Sequence, residues 1–345
     1  MTKVSRGRPR YRPEDVGVVI PCMNEGAHIE KCLAALRREG LDSHQILVVD
    51  NGSTDDSALI AAKYCTVVSS AERGIGKLRN AGALQHPRAG LLAFVDADCE
   101  VQPGWLRAGL RAMETSTLVG SRTRAPDDAG WTARRWAAIE ARQVHDASLL
   151  WTQHLMVDRV AFDGIGGFSR ELRTGEDADF CLRLRRSGAT LRHVADMQVI
   201  HHGFPTSYRA FLARDWWHTS TPGWFRRMSS RSRLAVAVTA VAPAVALAVA
   251  LTSRCRIRTL AACGSGFLAA LGLAGYATGR EAKWIPHDAV LTATWLAIRV
   301  VRLPTELRYA VNQRRSRRLT QAAGSDYEAR AKLRTPPLLG STQSR

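Results

Sequence analysis

From residue 16 to about residue 92, short apolar runs alternate with stretches whose apolar positions recur near every 3.6 residues. Residues 16–20, 46–49, 66–68 and 91–95 read as strands, and 27–38, 55–64 and 75–84 between them read as helices. This alternation predicts a parallel sheet covered by helices on both faces. Ser53 or Thr54, ahead of Asp55 and Asp56, offers an N-cap for the second helix. Polar residues gather just past the strands: Asn24 and Glu25, Asp50 and Asn51, Asp96 and Asp98. Open α/β sheets bind ligands at the carboxyl ends of their strands, so these acids predict one crevice. Farther on, 131–145 and 176–187 read as helices, 155–157 as a short strand and 190–200 as extended chain.

Two uncharged stretches follow, 234–253 and 259–279. Each matches the roughly 20 residues that cross a bilayer core. Pro243 would kink the first. Residues 288–303, with Arg299 and Arg302, are amphipathic and read as an interfacial helix. The expected organisation is a basic tail over 1–15, an α/β domain over 16–220, membrane-associated helices over 221–303 and a basic, disordered tail over 304–345.

Charge changes the picture of partners. The 345-residue chain carries +18, but residues 13–213 hold 23 basic against 25 acidic groups. Residues 1–12 hold five basic and no acidic groups, and 214–345 hold 21 basic and six acidic. A near-neutral folded part argues against nucleic acid, whose binders carry a basic face. Basic ends beside apolar stretches suit anionic membrane lipid. Arg226, Arg227, Arg231 and Arg233 place a cytosolic side before the first stretch, while Arg254, Arg256 and Arg258 oppose an outward loop between the two. Two crossings and a hairpin that enters and returns both stay open. Seven cysteines, none in a CxxC pair, exclude a zinc knuckle and a disulfide framework. The first 15 residues lack the apolar run of a signal peptide, so residues 13–213 are expected in the cytosol.

Five motifs carry candidate chemistry. FVDADC (94–99) ends an apolar strand in Asp96 and Asp98, whose side chains project the same way on extended chain. The pair suits Mg²⁺ or Mn²⁺, or is a solvated turn. VVIPCMNE (18–25) and VVDNGSTDDS (48–57) bring Asp50 to a tight turn, where it can accept from a base N–H or simply cap a helix. ERGIGKLRNAG (72–82) places Lys77 and Arg79 in the first turns of a helix, favourable to phosphate. It lacks the GxxxxGK[ST] spacing of a Walker A loop, and a surface helix is the alternative. GGFSRELRTGEDADFCLRLRRSG (166–188) sets Glu176 and Asp177 at a helix start, where the dipole favours the anion. Asp177 can then take a proton from a sugar hydroxyl, or only cap the helix. VIHHG (199–203) ends an extended run in two histidines, ligands or structural.

In this order the motifs resemble glycosyltransferase family 2, over about residues 16–218. The resemblance implies a GT-A fold, a Rossmann-like nucleotide-binding sheet flanked by helices, here followed by C-terminal membrane helices. It implies transfer from a UDP-, GDP- or dTDP-linked sugar, inversion at the anomeric carbon, and a Mg²⁺ or Mn²⁺ cofactor. By position, Pro21, Asn24, Glu25 and Asp50 would line the nucleoside pocket, with Lys77, Arg79 and Asn80 near base, ribose or phosphates. Asp96 and Asp98 would form the metal-binding pair, Asp98 the more direct, with His201 the late metal ligand and His202 second choice. Asp177 would be the general base and Glu176 would shape the acceptor edge. The implied acceptor is a hydroxyl on a lipid-linked or glycan molecule, at the inner face of the cytoplasmic membrane. Two departures stand out. ARDWWHTS (213–220) replaces the QxxRW of processive synthases, and Asn51 stands where many members have Asp. A nucleotidyltransferase lacks support, because Pro21–Glu25 stands where its Gly-rich basic loop would be. A catalytically silent membrane scaffold is opposed by the acids at 96, 98 and 177.

Overall fold

The computed structural model describes residues 11–143, 149–172 and 174–218, together with 298, 301–305 and 308. Residues 1–221 form one compact unit and 222–345 a second. Among the described residues, no helix is long and apolar enough to cross a membrane. The stretches 234–253 and 259–279, most of 288–303 and nearly all of the 304–345 tail lie outside the described residues.

The first unit is α/β. The chain runs β1 (Val16–Cys22), α1 (Ile29–Arg38), β2 (Ile46–Asp50), α2 (Ser57–Ala61), β3 (Thr66–Ser69), α3 (Ile75–Leu84) and β4 (Leu91–Val95). It continues through β5 (Cys99–Val101), α4 (Trp105–Met113), β6 (Leu118–Gly120), β7 (Thr123–Arg124), α5 (Trp131–Gln143) and β8 (His154–Asp158). It then forms α6 (Arg159–Gly164), α7 (Glu176–Arg186), β9 (Leu191–His193), β10 (Val199–His201) and α8 (Tyr208–His218). Seven of the described strands make one sheet in the order β3-β2-β1-β4-β8-β6-β9.

β1, β2, β3 and β4 pair in parallel, as the alternation predicts. β8, however, runs antiparallel to β4 and to β6. The parallel expectation for residues 16–95 holds, and the later strands extend it into a mixed sheet. A short apolar run such as 155–157 carries no signal of direction; the connection that feeds it decides.

Both faces of the central strands are buried, which is why they read as unbroken apolar runs. Val18, Ile20, Ile46 and Val48 face a core with Leu33 and Leu36 of α1 and Trp105 of α4. Val19, Val49 and Phe94 face a second core with Leu78 and Ala83 of α3 and the rings of Phe162, Phe168 and Phe180. α3 lies close because residue 82 is glycine. A Cβ there would overlap Val19 and stand 3.0 Å from Val49 Cγ2. Gly82→Ala is therefore expected to lower stability by about 1–3 kcal/mol, since strain on two fully buried strands exceeds the gain of about 1 kcal/mol in helix propensity. A fall in the urea midpoint with an unchanged slope checks it.

Two local expectations shift. The second helix starts at Ser57, where Asp55 Oδ1 accepts from the Ser57 amide at 3.0 Å. Ser53 and Thr54 do not cap it; they bond across to Asn24. The extended run 190–200 is broken into β9 and β10 by a turn closed by Met197 N–H on Val194 O. β10 leaves for a second, three-stranded sheet, β5-β10-β7.

Candidate active site

The β1 and β2 ends are tied into one cradle. Asn24 stands in the left-handed region at φ 58° and accepts the Thr54 amide on Oδ1 at 2.8 Å. Its own N–H donates to Ser53 Oγ at 2.9 Å, and the Glu25 N–H donates to Ser57 Oγ at 2.7 Å. Pro21 is buried in β1 opposite Val49, one step before the Cys22–Asp50 register pair. Asp50 Oδ2 accepts from the amides of Gly52 and Ser53, each at 3.2 Å. Its Oδ1 is buried and makes no hydrogen bond, a vacant acceptor such as a base N–H would fill.

The aspartate pair sits at the end of β4. Asp96 N–H donates to Gln153 O at 2.9 Å, and its Oδ1 accepts from Arg79 Nη2 at 2.6 Å. Asp98 lies in a turn, closed by Cys99 N–H on Asp96 O at 3.0 Å, and not on the extended chain expected. β5 and β10 are antiparallel with Cys99 opposite His201, and this register brings His201 Nε2 to 3.1 Å from Asp98 Oδ2. Burial opposes the Asp98 charge, but His201 outweighs it and holds this carboxyl down at about 2. Burial also opposes the imidazolium, yet Asp98 keeps His201 above its ordinary value. A Cβ on Gly203 would overlap the Asp98 carboxylate, so only glycine permits this approach. Arg214 donates to Gly203 O at 2.6 Å and closes the loop.

Asp98 Oδ1 and His201 Nδ1 are buried without hydrogen-bond partners. A carboxylate and an imidazole with vacant lone pairs fit a divalent cation of the Mg²⁺ or Mn²⁺ class. Asp98, Cys99 and His201 each bring a ligand atom within 4.8 Å of the others. Burial drives the Cys99 thiol well above its ordinary value, so it stays protonated and leaves the harder donors to act. His202 turns away to Glu100, at 2.9 Å. Glu25 belongs to this site: burial first, then the charges of Asp98 and Asp96, push it up to about 7.

Asp177 and Glu176 open α7 behind Gly175, at φ 74°. Glu176 Oε1 accepts from Arg79 Nη1 at 2.9 Å. Asp177 Oδ1 accepts from the Ala178 amide at 2.7 Å. The helix dipole was expected to keep Asp177 anionic; burial, and then the Glu176 charge, instead raise it to about 8. Desolvation exceeds the dipole because the dipole contributes only about 0.3–1 kcal/mol at most helix ends.

Two residues expected near the base, ribose or phosphates have their polar atoms engaged within the protein. Asn80 spends both ends of its amide on Phe168, donating to its O and accepting its N–H, each at 2.9 Å. Arg79 is 1% exposed and committed to Asp96 and Glu176. Lys77 is half-buried and, among the described residues, makes no ion pair, so its charge remains available. Gly203 and Arg214 were not recognised as site residues. Gly203 closes the VIHHG motif; Arg214 lies in the segment read only for its missing QxxRW.

Residues 17–171 match the sequence profile of glycosyl transferase family 2. The match covers a little under half of the chain. The family 2 match and the mixed sheet agree in a GT-A-like α/β fold. Glycosyltransferase AglE of Haloferax volcanii is 28% identical over 206 residues, 55% of this chain and 67% of the relative. The pre-mycofactocin glycosyltransferase of Mycobacterium tuberculosis is 28% identical over 233 residues, 61% of this chain but 48% of the relative. Among solved structures, a mannosyltransferase from Pyrobaculum calidifontis in complex with GDP-Man and Mn²⁺ superposes with a TM-score of 0.48 and 19% identity, covering 88% of this chain and 87% of that one.

Proposed function

We propose that the protein is an inverting glycosyltransferase that moves a sugar from a nucleoside-diphosphate donor to a hydroxyl of a membrane-linked acceptor. The observation that carries the reading is one buried arginine bonded both to Asp96 and to Glu176, the neighbour of Asp177. A cation seat and a proton acceptor would then share one site.

Asp98 and His201 would hold Mg²⁺ or Mn²⁺, with Asp96 beside them. When bound, such an ion offsets the charge that gathers on the departing diphosphate. The chain's own groups do the rest. Asp50 Oδ1 accepts from the base, Asn24 and Pro21 shape the pocket, and Lys77 supplies a cation near the phosphates. The acceptor hydroxyl oxygen bonds to the anomeric carbon as the carbon–oxygen bond to the diphosphate breaks. Asp177 accepts the hydroxyl proton, so the products are a glycoside of opposite configuration and a nucleoside diphosphate. The basic ends and the apolar stretches would hold the domain on the cytosolic face of the inner membrane, near a lipid-linked acceptor. Each Lys or Arg near an anionic leaflet contributes about 1 kcal/mol.

The test is a donor screen on membranes containing the full chain, reading release of UDP, GDP or dTDP with Mn²⁺, Mg²⁺ or a chelator. Release that requires both a divalent ion and an acceptor supports the reading. Absence of release from every donor, with nucleotide binding intact, would overturn it.

A further inference from the structure

The guanidinium of Arg79 is the most enclosed charge of the site. The residue is 1% exposed. Nη2 donates to Asp96 Oδ1 at 2.6 Å and Nη1 to Glu176 Oε1 at 2.9 Å, and Nη2 stands 3.5 Å from Thr152 O. The Phe168 ring packs 5.6 Å from its Cζ. Nε is buried as well and, among the described residues, donates no hydrogen bond. Both arms of the fork are thus turned to protein, and no exposed N–H remains for a phosphate. The partners lie 80 residues apart in sequence, one at the end of β4 and one at the start of α7. Glu176 adjoins Asp177, so whatever holds Glu176 also holds the proton acceptor.

We propose that Arg79 is a positioning residue, a buried strut that spans Asp96 and Glu176 and sets Asp177 at a fixed place relative to the aspartate pair without touching the donor. The roles of Asp177 and of the aspartate pair rest on the proposed function; the strut itself does not. Only arginine can do this, because two nitrogens in one plane reach two carboxylates at once, whereas a lysine ammonium is a point charge on a flexible stem. Arg79 also neutralises Glu176, the charge nearest Asp177. Asp177 is faced besides by the charge of Arg79 itself, which favours its anion, by the Ala178 amide and by Cys181 of its own helix.

Three variants test the strut: Arg79→Met, Arg79→Lys, and Arg79→Met combined with Glu176→Gln. The first readout is affinity for UDP and GDP in chelator, which reports direct phosphate contact. It is expected to stay within about threefold of wild type, since a group that never touches the nucleotide removes no binding. The second is kcat, expected to fall by about a hundredfold in Arg79→Met, the scale of a displacement near 1 Å. The third is the titration of Asp177 by carboxyl carbon-13 NMR, which needs no donor. It moves to higher pH in Arg79→Met and returns when Glu176→Gln removes the exposed charge. Should Arg79→Met fail to fold, Arg79→Lys answers the same readouts: one partner lost, a smaller shift in the same direction. A tenfold loss of nucleotide affinity in chelator, or an Asp177 titration indifferent to both changes, overturns the proposal. If wild type turns over no donor, the proposed function falls while binding and titration still decide the strut.

Discussion

Asp98→Asn is expected to lower sugar transfer by about a hundred- to thousand-fold, the usual scale for removing one preorganised electrostatic group from a reacting site. The change is nearly isosteric, and what it removes is charge. Asp98 is the carboxyl held at about 2 by His201, with one buried oxygen left without a partner. An amide at that position presents one neutral oxygen and a nitrogen donor, a poor ligand for a hard cation. Nucleotide affinity in Mn²⁺ should therefore fall to the value wild type shows in chelator, while affinity in chelator is unchanged. Stability carries a second signature. The Asp98 carboxyl is depressed, so its contribution is present above the ordinary value near 3.8 and lost as pH falls through about 2. His201 is raised, so its contribution is full below 6.5 and is lost as pH rises through its elevated value. In chelator, wild type should exceed Asp98→Asn in melting temperature most between about pH 4 and 6.5, with the gap closing below pH 3. A variant that keeps Mn²⁺-dependent nucleotide affinity would remove Asp98 from the cation site.

What could be read from the chain follows from where information is local. β1, β2 and β4 were legible because both faces of each are buried and the apolar run stops where the polar end begins. Asp50, Asp96 and Asp98 were legible for the same reason: an acid ending such a run has nowhere to go but the carboxyl edge of the sheet. The meeting of Asp98 with His201 was not, since it depends on the β5–β10 register across a hundred residues. Its motifs named both residues, but only the antiparallel pairing, and a glycine at 203, bring them to 3.1 Å. The partners of Arg79 were not legible, for a physical reason. A cation in the first turns of a helix suits phosphate when exposed, and no local pattern says that this one is enclosed. Those of Asn80 were hidden likewise, its amide being claimed by the backbone of Phe168. Asn51 is the converse. Its amide donates to Ser70 O at 2.6 Å and Glu72 O at 2.9 Å, bonds that an aspartate cannot make, so the departure from the family's usual Asp has a structural use.

Asp177→Asn is the other large effect, an expected loss of about 10²–10⁴ in kcat, the range for a positioned general base. The pH dependence identifies the mechanism. Asp177 is buried, and burial together with the Glu176 charge raises it to about 8. Only the ionised form takes a proton, so about one-tenth of the protein is competent at pH 7. In wild type, kcat/KM should rise roughly tenfold per pH unit toward pH 8 and level off above it. The asparagine variant should lose that limb and keep its nucleotide affinity in Mn²⁺, because the proposed role of Asp177 is at the acceptor and not at the nucleotide. Stability moves opposite to activity. A carboxyl raised in the fold binds its proton more tightly there than in the unfolded chain. Its contribution is full below about 3.8 and disappears as pH rises through about 8. Above that value wild type must keep an anion buried beside Glu176, which the asparagine variant avoids. At pH 9 the inactive variant should therefore melt at or above the wild-type temperature. Loss of turnover cannot then be attributed to unfolding. An Asp177→Asn protein that retains the alkaline rise in rate would show that another group takes the proton, and Glu25, raised to about 7 in the same site, would be the next candidate.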